Sequence, residues 1–245
     1  MNLYGLIGYP LGHSFSKQYF TEKFEKEGIT GSVFEAFPIP SIEAFPGLIK
    51  NNPSLKGLSV TIPYKEQVLR YIDEFSDEVK AIGATNSIKI SNGKLTAYNT
   101  DIVGFEKSFT TQLQPHHTNA LILGTGCASK AVQYVLEKLA IEFLVVTRNN
   151  DDQQKFINYT DIDEVIMTAY TVIVNCSPVG MYPHEHTAPS IHYQLLSPSH
   201  YLYDLVYKPA ETLFLKKGKE RGALIRNGYD MLLLQAEESW RIWNS

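Results

Sequence analysis

Residues 120–139, ALILGTGCASKAVQYVLEKL, pass from an unbroken apolar run through a glycine loop into a striped helix. ALIL has no alternation, as in a strand buried on both faces. Apolar or small residues at 128, 131, 132, 135, 136 and 139 form one helical face. Between them, Gly124 permits a tight turn and Gly126 lets backbone N–H groups approach a phosphate at the positive helix end. The third glycine position of such a loop is Ser129, small but not glycine. Strand, glycine loop and helix in that order are the context a dinucleotide site requires. The plainer reading is a structural turn in a nucleotide-free α/β domain. The next apolar strand, FLVVT at 143–147, continues the alternation and favours the dinucleotide.

The residues after that strand separate the cofactors. An acidic side chain there binds the ribose 2′-hydroxyl of NAD. Here the chain has Thr147-Arg148-Asn149, with no carboxylate at the strand end. A planar guanidinium suits a 2′-phosphate, so NADP is favoured over NAD.

Further along, TVIVN and YLYDLV read as strands, residues 209–221 as a helix with a basic end, and 229–243 as a last helix. Toward the N-terminus, Leu3 to Ile7 reads as a strand. Ser16 is placed to cap a helix that Gly28 ends, and 33–37 reads as a second strand. Ser41 is placed to cap another helix. Leu58, Val60 and Ile62 alternate with Ser59 and Thr61, predicting a strand whose apolar face includes Ile62. A helix with Val68, Leu69 and Ile72 follows. NSIKISNGKLTAY is a hairpin turning at Asn92-Gly93, and a helix runs from about 102 to 113. QPHHTN, 114–119, is a loop or a hinge. Strands alternating with helices predict an α/β protein with mainly parallel sheets in two domains.

Composition narrows the class. The chain has 245 residues, 44% of them apolar, which is ample for a buried core. A net charge of −4 with no basic block argues against a nucleic-acid partner. Two cysteines, Cys127 and Cys176, make no disulfide framework. The seven histidines show no metal-ligand spacing, so no metal is expected. The N-terminus MNLYGLIGYPLGHS has no signal-peptide pattern and no run reaches membrane length. A soluble cytoplasmic protein acting on a small molecule is expected, monomeric or homodimeric, with no membrane partner.

SVTIPYKE, 59–66, carries the sharpest chemical question. Pro63 stops the strand and suits the first turn of a helix. Lys65 then falls within a turn of the strand end. The bland reading is a solvated lysine. GHSFS, GATNS and YNTD also fall at predicted strand ends or loops, and parallel sheets gather ligands at the C-terminal strand edge. Each has a plain alternative: Ser14 and Ser16 as turn and cap residues, Asn86 and Asn99 as turn formers, Asp101 as a helix cap.

Taken in order, GYPLGHSFS, VTIPYKE, GATNS, YNTDIVGF, GTGCASKA, TRN, NCSPVGM, DLVYKP and GYDMLLLQA resemble the shikimate dehydrogenase family along nearly the whole chain. The resemblance implies a substrate domain (1–103 with 228–245), a Rossmann NADP domain (104–227), and a C-terminal helix packing back on the first domain. It implies NADPH-linked interconversion of 3-dehydroshikimate and shikimate, a step toward chorismate and the aromatic amino acids. By the family pattern, Ser14 and Ser16 bind the substrate carboxylate with Tyr207 nearby. Thr61, Lys65, Asn86, Asp101 and Gln235 surround the ring hydroxyls. Gly124, Thr125, Gly126, Cys127, Ala128 and Ser129 bind the pyrophosphate, and Thr147, Arg148 and Asn149 the adenosine phosphate. Pro178, Gly180, Met181 and Gly228 lie near the nicotinamide. The chain departs from the pattern at Ser59, usually Asn, and at Cys127, commonly Gly; Lys17, Phe20 and Thr21 also differ.

Reducing a ketone with hydride makes an alkoxide, which needs a proton or a cation. Lys65 supplies either, and the Asp101 carboxylate is suited to hold the ammonium. The two are the expected catalytic pair. Three other functions compete. A quinate/shikimate dehydrogenase with relaxed cofactor use is disfavoured by Arg148. A folate-methylene dehydrogenase is disfavoured by GHSFS and YNTD. A non-catalytic nucleotide and metabolite sensor is disfavoured by retention of Lys65 with Asp101.

Overall fold

The sequence folds into two α/β units, each built on its own six-stranded sheet, in a computed structural model that describes residues 1–12, 15–148 and 154–245. One unit is Met1–Thr100 with Ala236–Ser245, and the other is Asp101–Gln235. The breaks read from the sequence, at 103/104 and 227/228, fall a few residues away. Each break between the units lies inside a helix that the two share in sequence. Ser14 and Asn149 fall outside the described residues.

In the first unit the strands are β1 (Asn2–Gly8), β2 (Ser32–Pro38), β3 (Leu55–Val60), β4 (Glu74–Phe75), β5 (Ser87–Ser91) and β6 (Lys94–Tyr98). Their order is β2-β1-β3-β5-β6-β4. β2, β1 and β3 run parallel, while β5 is antiparallel to both β3 and β6. The hairpin turns where Asn92 (φ 52°) and Gly93 (φ 76°) both take left-handed backbone, as a two-residue type I′ turn demands. Helices α1 (Phe15–Lys26), α2 (Phe45–Asn51), α3 (Tyr64–Gln67) and α4 (Asp77–Ile82) connect the strands.

Two sequence expectations change here. Ser16 is the second residue of α1 rather than its cap, because the helix already begins at Phe15. Ile62 is 75% exposed and not in the core. β3 ends at Val60; past it, Thr61 N–H still donates to Ile7 O at 2.9 Å and Ile62 O accepts from Tyr9 N–H at 3.1 Å, but the Ile62 side chain points away from the core. Beyond it the chain turns into Pro63, so the alternation no longer selects a face.

The second sheet is wholly parallel: β7 (Asn119–Leu123), β8 (Glu142–Thr147), β9 (Phe156–Asn158), β10 (Val172–Asn175), β11 (Tyr201–Asp204) and β12 (Leu224–Asn227). Its order, β12-β11-β10-β7-β8-β9, reverses between β7 and β10, the switch point of a Rossmann sheet. Ala120, Leu121, Ile122 and Leu123 are fully buried, as the unbroken apolar run requires. The leucine and isoleucine side chains each contribute about 1.5–3 kcal/mol by leaving water. β9 and β12 are strands the sequence reading did not contain. Helices α6 (Cys127–Lys138), α7 (Glu164–Ala169) and α8 (Leu213–Glu220) cover this sheet's connections. α8 is shorter than the helix expected over 209–221, because Thr212 caps it by accepting a hydrogen bond from Leu215 N–H.

Two helices span the breaks between units: α5 (Thr100–Phe109) and α9 (Tyr229–Trp243). α5 stops at Phe109 and tightens into a 3-10 turn over Thr110–Gln112, where a helix to 113 was expected. The last turns of α9 pack back on the first unit. Trp243 stacks on Tyr4 at 5.5 Å between ring centroids, and the Tyr4 hydroxyl donates to Asn244 Oδ1 at 2.9 Å. Phe20, Phe24 and Phe34 complete that cluster.

No described helix is long and apolar enough to cross a membrane. Among the described residues no cluster of His, Cys, Asp and Glu is arranged to hold a metal.

Candidate active site

In the second unit, the loops after β7, β8 and β10 meet around a cavity of about 650 Å³. Gly124, Thr125 and Gly126 form one wall, and Val146, Thr147 and Arg148 another. Cys176, Ser177, Pro178 and Val179 close the switch point. Gly124 sits at φ 111°, where a side chain would be strained, and an added Cβ would also press on Ser177 N at 3.3 Å. α6 starts with Gly126 as its N-cap and no side chain caps it, so the first turn offers backbone N–H groups and a positive dipole to an anion. Ser129 is fully buried in that first turn. A small residue is what close helix–strand packing needs at the third loop position.

These residues fit a dinucleotide phosphate. The loop presents backbone donors to the cavity, and Arg148 brings a guanidinium from the end of β8. Among the described residues no carboxylate lines the cavity.

Several lining residues were not picked out from sequence. Tyr159 lines the cavity from a 3-10 turn after β9, held by a reciprocal cap between Asn158 and Asp161. Burial pushes its phenol pKa up, against the pull of the Arg148 charge. Ala188, Pro189 and Ser190 complete the rim. By contrast, Cys127, Ala128 and Ser129 lie in α6 behind the loop, and Met181 and Gly228 are also outside the cavity lining. Met181 is partly exposed, and Gly228 lies tight against Leu205 O.

The switch-point loop is tied from below. Asn175, fully buried at the end of β10, accepts from Ser177 N–H (3.1 Å) and from the Ser177 hydroxyl (2.6 Å). Its amide donates to Val179 O (3.2 Å) and to Asp204 Oδ1 (2.9 Å). Asp204, equally buried at the end of β11, also accepts from Val206 N–H (3.0 Å) and from the Thr212 hydroxyl (2.6 Å). Burial pushes the Asp204 carboxyl up to about 6, and these three donors hold it from rising further. Burial likewise raises the Cys176 thiol.

In the first unit, Thr61, Lys65 and Asn86 lie at one end of the sheet. Thr61 follows β3, and Val60 N–H pairs with Asn86 O at 2.8 Å. α3 carries Lys65 one turn further, and its carbonyl accepts from Thr85 N–H at 2.8 Å. Thr61 and Lys65 are half-buried; Asn86 is buried. The Asn86 amide grips Thr100: Oδ1 accepts from Thr100 N–H (2.7 Å) and Nδ2 donates to Thr100 Oγ1 (3.0 Å). Thr100 Oγ1 in turn meets Ser239 Oγ at 3.0 Å. That network fixes the start of α5, the helix on which Asp101 is the next residue.

Asp101 belongs to the second unit and is buried at the head of α5. A Cβ at Gly104 would meet Met231 O at 2.6 Å and Gln235 Cβ at 3.1 Å, so glycine lets α5 and α9 approach within this unit. Gln235 is half-buried and donates to Leu232 O at 2.9 Å. Tyr207 lies partly exposed after β11. Ser16 is half-buried in α1.

Known proteins resemble the chain over nearly its whole length. The profile of the shikimate dehydrogenase substrate binding domain matches residues 6–88. A shikimate dehydrogenase (NADP(+)) of Carboxydothermus hydrogenoformans is 36% identical across 98% of this chain and 91% of its own. A chorismate mutase/shikimate 5-dehydrogenase fusion protein from Clostridium acetobutylicum superposes with a TM-score of 0.90 at 35% identity, covering 99% of this chain and 91% of that one. A shikimate 5-dehydrogenase of Thermus thermophilus, solved with NADP(H) and shikimate, gives a TM-score of 0.85 at 29% identity over 99% and 93%. On this identity and coverage, the chain belongs to the shikimate dehydrogenase family.

Proposed function

We propose that this protein is an NADP-dependent shikimate dehydrogenase that interconverts 3-dehydroshikimate and shikimate on the route to chorismate. The observation that carries the cofactor assignment is the switch-point cavity, with the Gly124–Gly126 loop on one wall and Arg148 on another. The substrate assignment rests on relatives named shikimate dehydrogenase (NADP(+)).

The residues 1–103 with 228–245 form the substrate-binding region in this reading, and 104–227 the cofactor-binding region. Gly124 to Ser129 hold the pyrophosphate, and Thr147, Arg148 and Asn149 the adenosine 2′-phosphate. Pro178, Gly180, Met181 and Gly228 border the nicotinamide. Ser14, Ser16 and Tyr207 take the substrate carboxylate. Thr61, Asn86 and Gln235 take the ring hydroxyls.

NADPH, when bound, supplies the hydride that reduces the ketone carbon. The chain supplies the rest. Negative charge grows on the C3 oxygen as the carbonyl is reduced, and the Lys65 ammonium stabilises it and delivers the proton. Asp101 holds the ammonium and takes part in the proton's passage. In the oxidative direction the pair receives the hydroxyl proton. The enzyme works in the cytoplasm as a monomer or homodimer.

A spectrophotometric assay tests the reading. NADP⁺ should be reduced with shikimate and far more slowly with quinate or with NAD⁺. Equal kcat/KM for quinate would replace the assignment with a quinate/shikimate dehydrogenase. Binding of NADP⁺ and shikimate without turnover would replace it with a sensor.

A further inference from the structure

Asp204 touches neither the cavity nor any residue proposed to meet substrate, yet it is fully buried and its carboxylate accepts three hydrogen bonds. One donor is the amide of Asn175. An ionised carboxylate has no hydrogen to give, so it can face only the NH₂ side of that amide. The carbonyl side, Oδ1, is therefore left toward Ser177, where it receives both the backbone N–H and the hydroxyl. Were the amide reversed, an oxygen would face the carboxylate and an NH₂ would face the Ser177 N–H. Both contacts would be repulsive in a buried site.

The same carboxylate also reaches the far end of the loop. Its Oδ2 holds the Thr212 hydroxyl at 2.6 Å, and Thr212 packs beside Gly180, whose own φ is 91°. Residues 175 and 180 bracket the four that line the cavity, Cys176 to Val179. We infer that Asp204 is a positioning residue for the cofactor: by setting the direction of the Asn175 amide and anchoring Thr212, it holds residues 176–179 in the shape that lines the cavity. The inference rests on the proposal that this cavity binds NADP(H).

Calorimetric titration of NADP⁺ into the protein, alongside steady-state kinetics, tests it. Asp204→Leu removes both acceptor oxygens, and with them all three hydrogen bonds, while keeping the branched shape of the side chain. Its Kd and KM for NADP⁺ should rise at least tenfold, while KM for shikimate and kcat at saturating NADP⁺ stay within about threefold. Asp204→Asn should restore NADP⁺ affinity to within about threefold. Its Oδ1 still accepts from Asn175 and Val206, and its NH₂ donates to Thr212 Oγ1. Thr212→Val keeps the core volume and removes one donor to Asp204. It should weaken NADP⁺ about three- to tenfold, with Thr212→Ser restoring it, and this pair decides the matter if Asp204→Leu does not fold. Unchanged NADP⁺ affinity in Asp204→Leu, or in Thr212→Val, overturns the inference. So does an Asp204→Asn variant as weak as Asp204→Leu, or a Leu variant that loses shikimate and NADP⁺ alike. If the unmodified protein itself does not bind NADP⁺, the cavity assignment fails instead.

Discussion

Each sheet has a buried asparagine that ties down a neighbouring segment, and the two are secured differently. In the first unit, Asn86 grips Thr100, and the bonds run on to the Ser239 hydroxyl. In the second, Asn175 grips Ser177 and Val179, and the bonds end on the Asp204 carboxylate. Between two hydroxyls either atom can donate, so the Thr100–Ser239 link has no fixed direction. A carboxylate can only accept, so the Asn175–Asp204 link has one direction. A one-way link suits a loop that has to keep a single shape for a ligand bound largely through backbone.

The largest expected effect lies on the first unit's side of this contrast, where the proposed mechanism assigns the chemistry to a side chain. Lys65→Ala should lower kcat by roughly 10²–10⁴-fold, the usual worth of general acid–base catalysis. KM for shikimate should change much less. Thermal unfolding of the variant should match that of the unmodified protein, since Lys65 is only half-buried. Turnover near the unmodified rate would show that the solvated-lysine reading was right after all.

Next come the asparagines themselves. Asn86→Ala leaves the Thr100 N–H unsatisfied, a loss of about 1–3 kcal/mol. Asn175→Ala strips a donor from a buried carboxylate and releases the Ser177 hydroxyl, and bonds to charged groups are roughly twice as strong as neutral ones. Urea titration should therefore find Asn175→Ala the less stable of the two. The reverse order would mean that the carboxylate-ended network is no firmer than the hydroxyl-linked one. Arg148→Ala probes the same cavity from its rim. It should weaken NADPH about ten- to a hundredfold, the worth of one or two charge-assisted bonds. NADH should be little affected. Equal losses for both cofactors would remove Arg148 from the 2′-phosphate.

How much of this was legible in the sequence follows from how local each signal is. The run ALIL, the glycine loop and the helix stripe are consecutive, and they locate the switch-point wall. Asn92-Gly93 is two residues long and fixes the hairpin. Ile62 was misread because the alternation in the letters runs past the end of β3 at Val60, and the bond its carbonyl accepts from Tyr9 N–H does not bury its side chain. β9 (FIN) and β12 (LIRN) are short and half-buried, with no period to detect. Asp204 is 29 residues from Asn175, and only the pairing of β10 with β11 brings them side by side. Tyr159 is one of 15 tyrosines, and nothing beside it in the sequence marks it as a cavity wall.

The smallest expected effect is a pH dependence in which buried groups of the second unit oppose one another. His117 and His200 are each 3% exposed, and burial is the main force lowering their pKa values below 6.5. Each ring nitrogen Nδ1 accepts a backbone N–H, from Gln114 (3.0 Å) and Ser197 (3.1 Å), so each ring must stay neutral there. The unfolded chain takes up their protons first, so their contribution is complete above about pH 6.5 and is lost as the pH falls below it. Asp204 runs the other way. Its carboxyl is raised from 3.8 to about 6, so the folded state holds the proton longer, and stability declines as the pH climbs through that interval. Between about pH 4 and 6 the two contributions partly cancel. Asp204→Asn removes the falling one, so its melting temperature relative to the unmodified protein should be higher at pH 7 than at pH 4. His200→Asn keeps an acceptor for Ser197 N–H and removes a proton site, so it should narrow the gap in melting temperature between pH 7 and pH 5. If neither variant alters the pH profile, the buried groups titrate alike in the folded and unfolded chains, and desolvation is not what governs them.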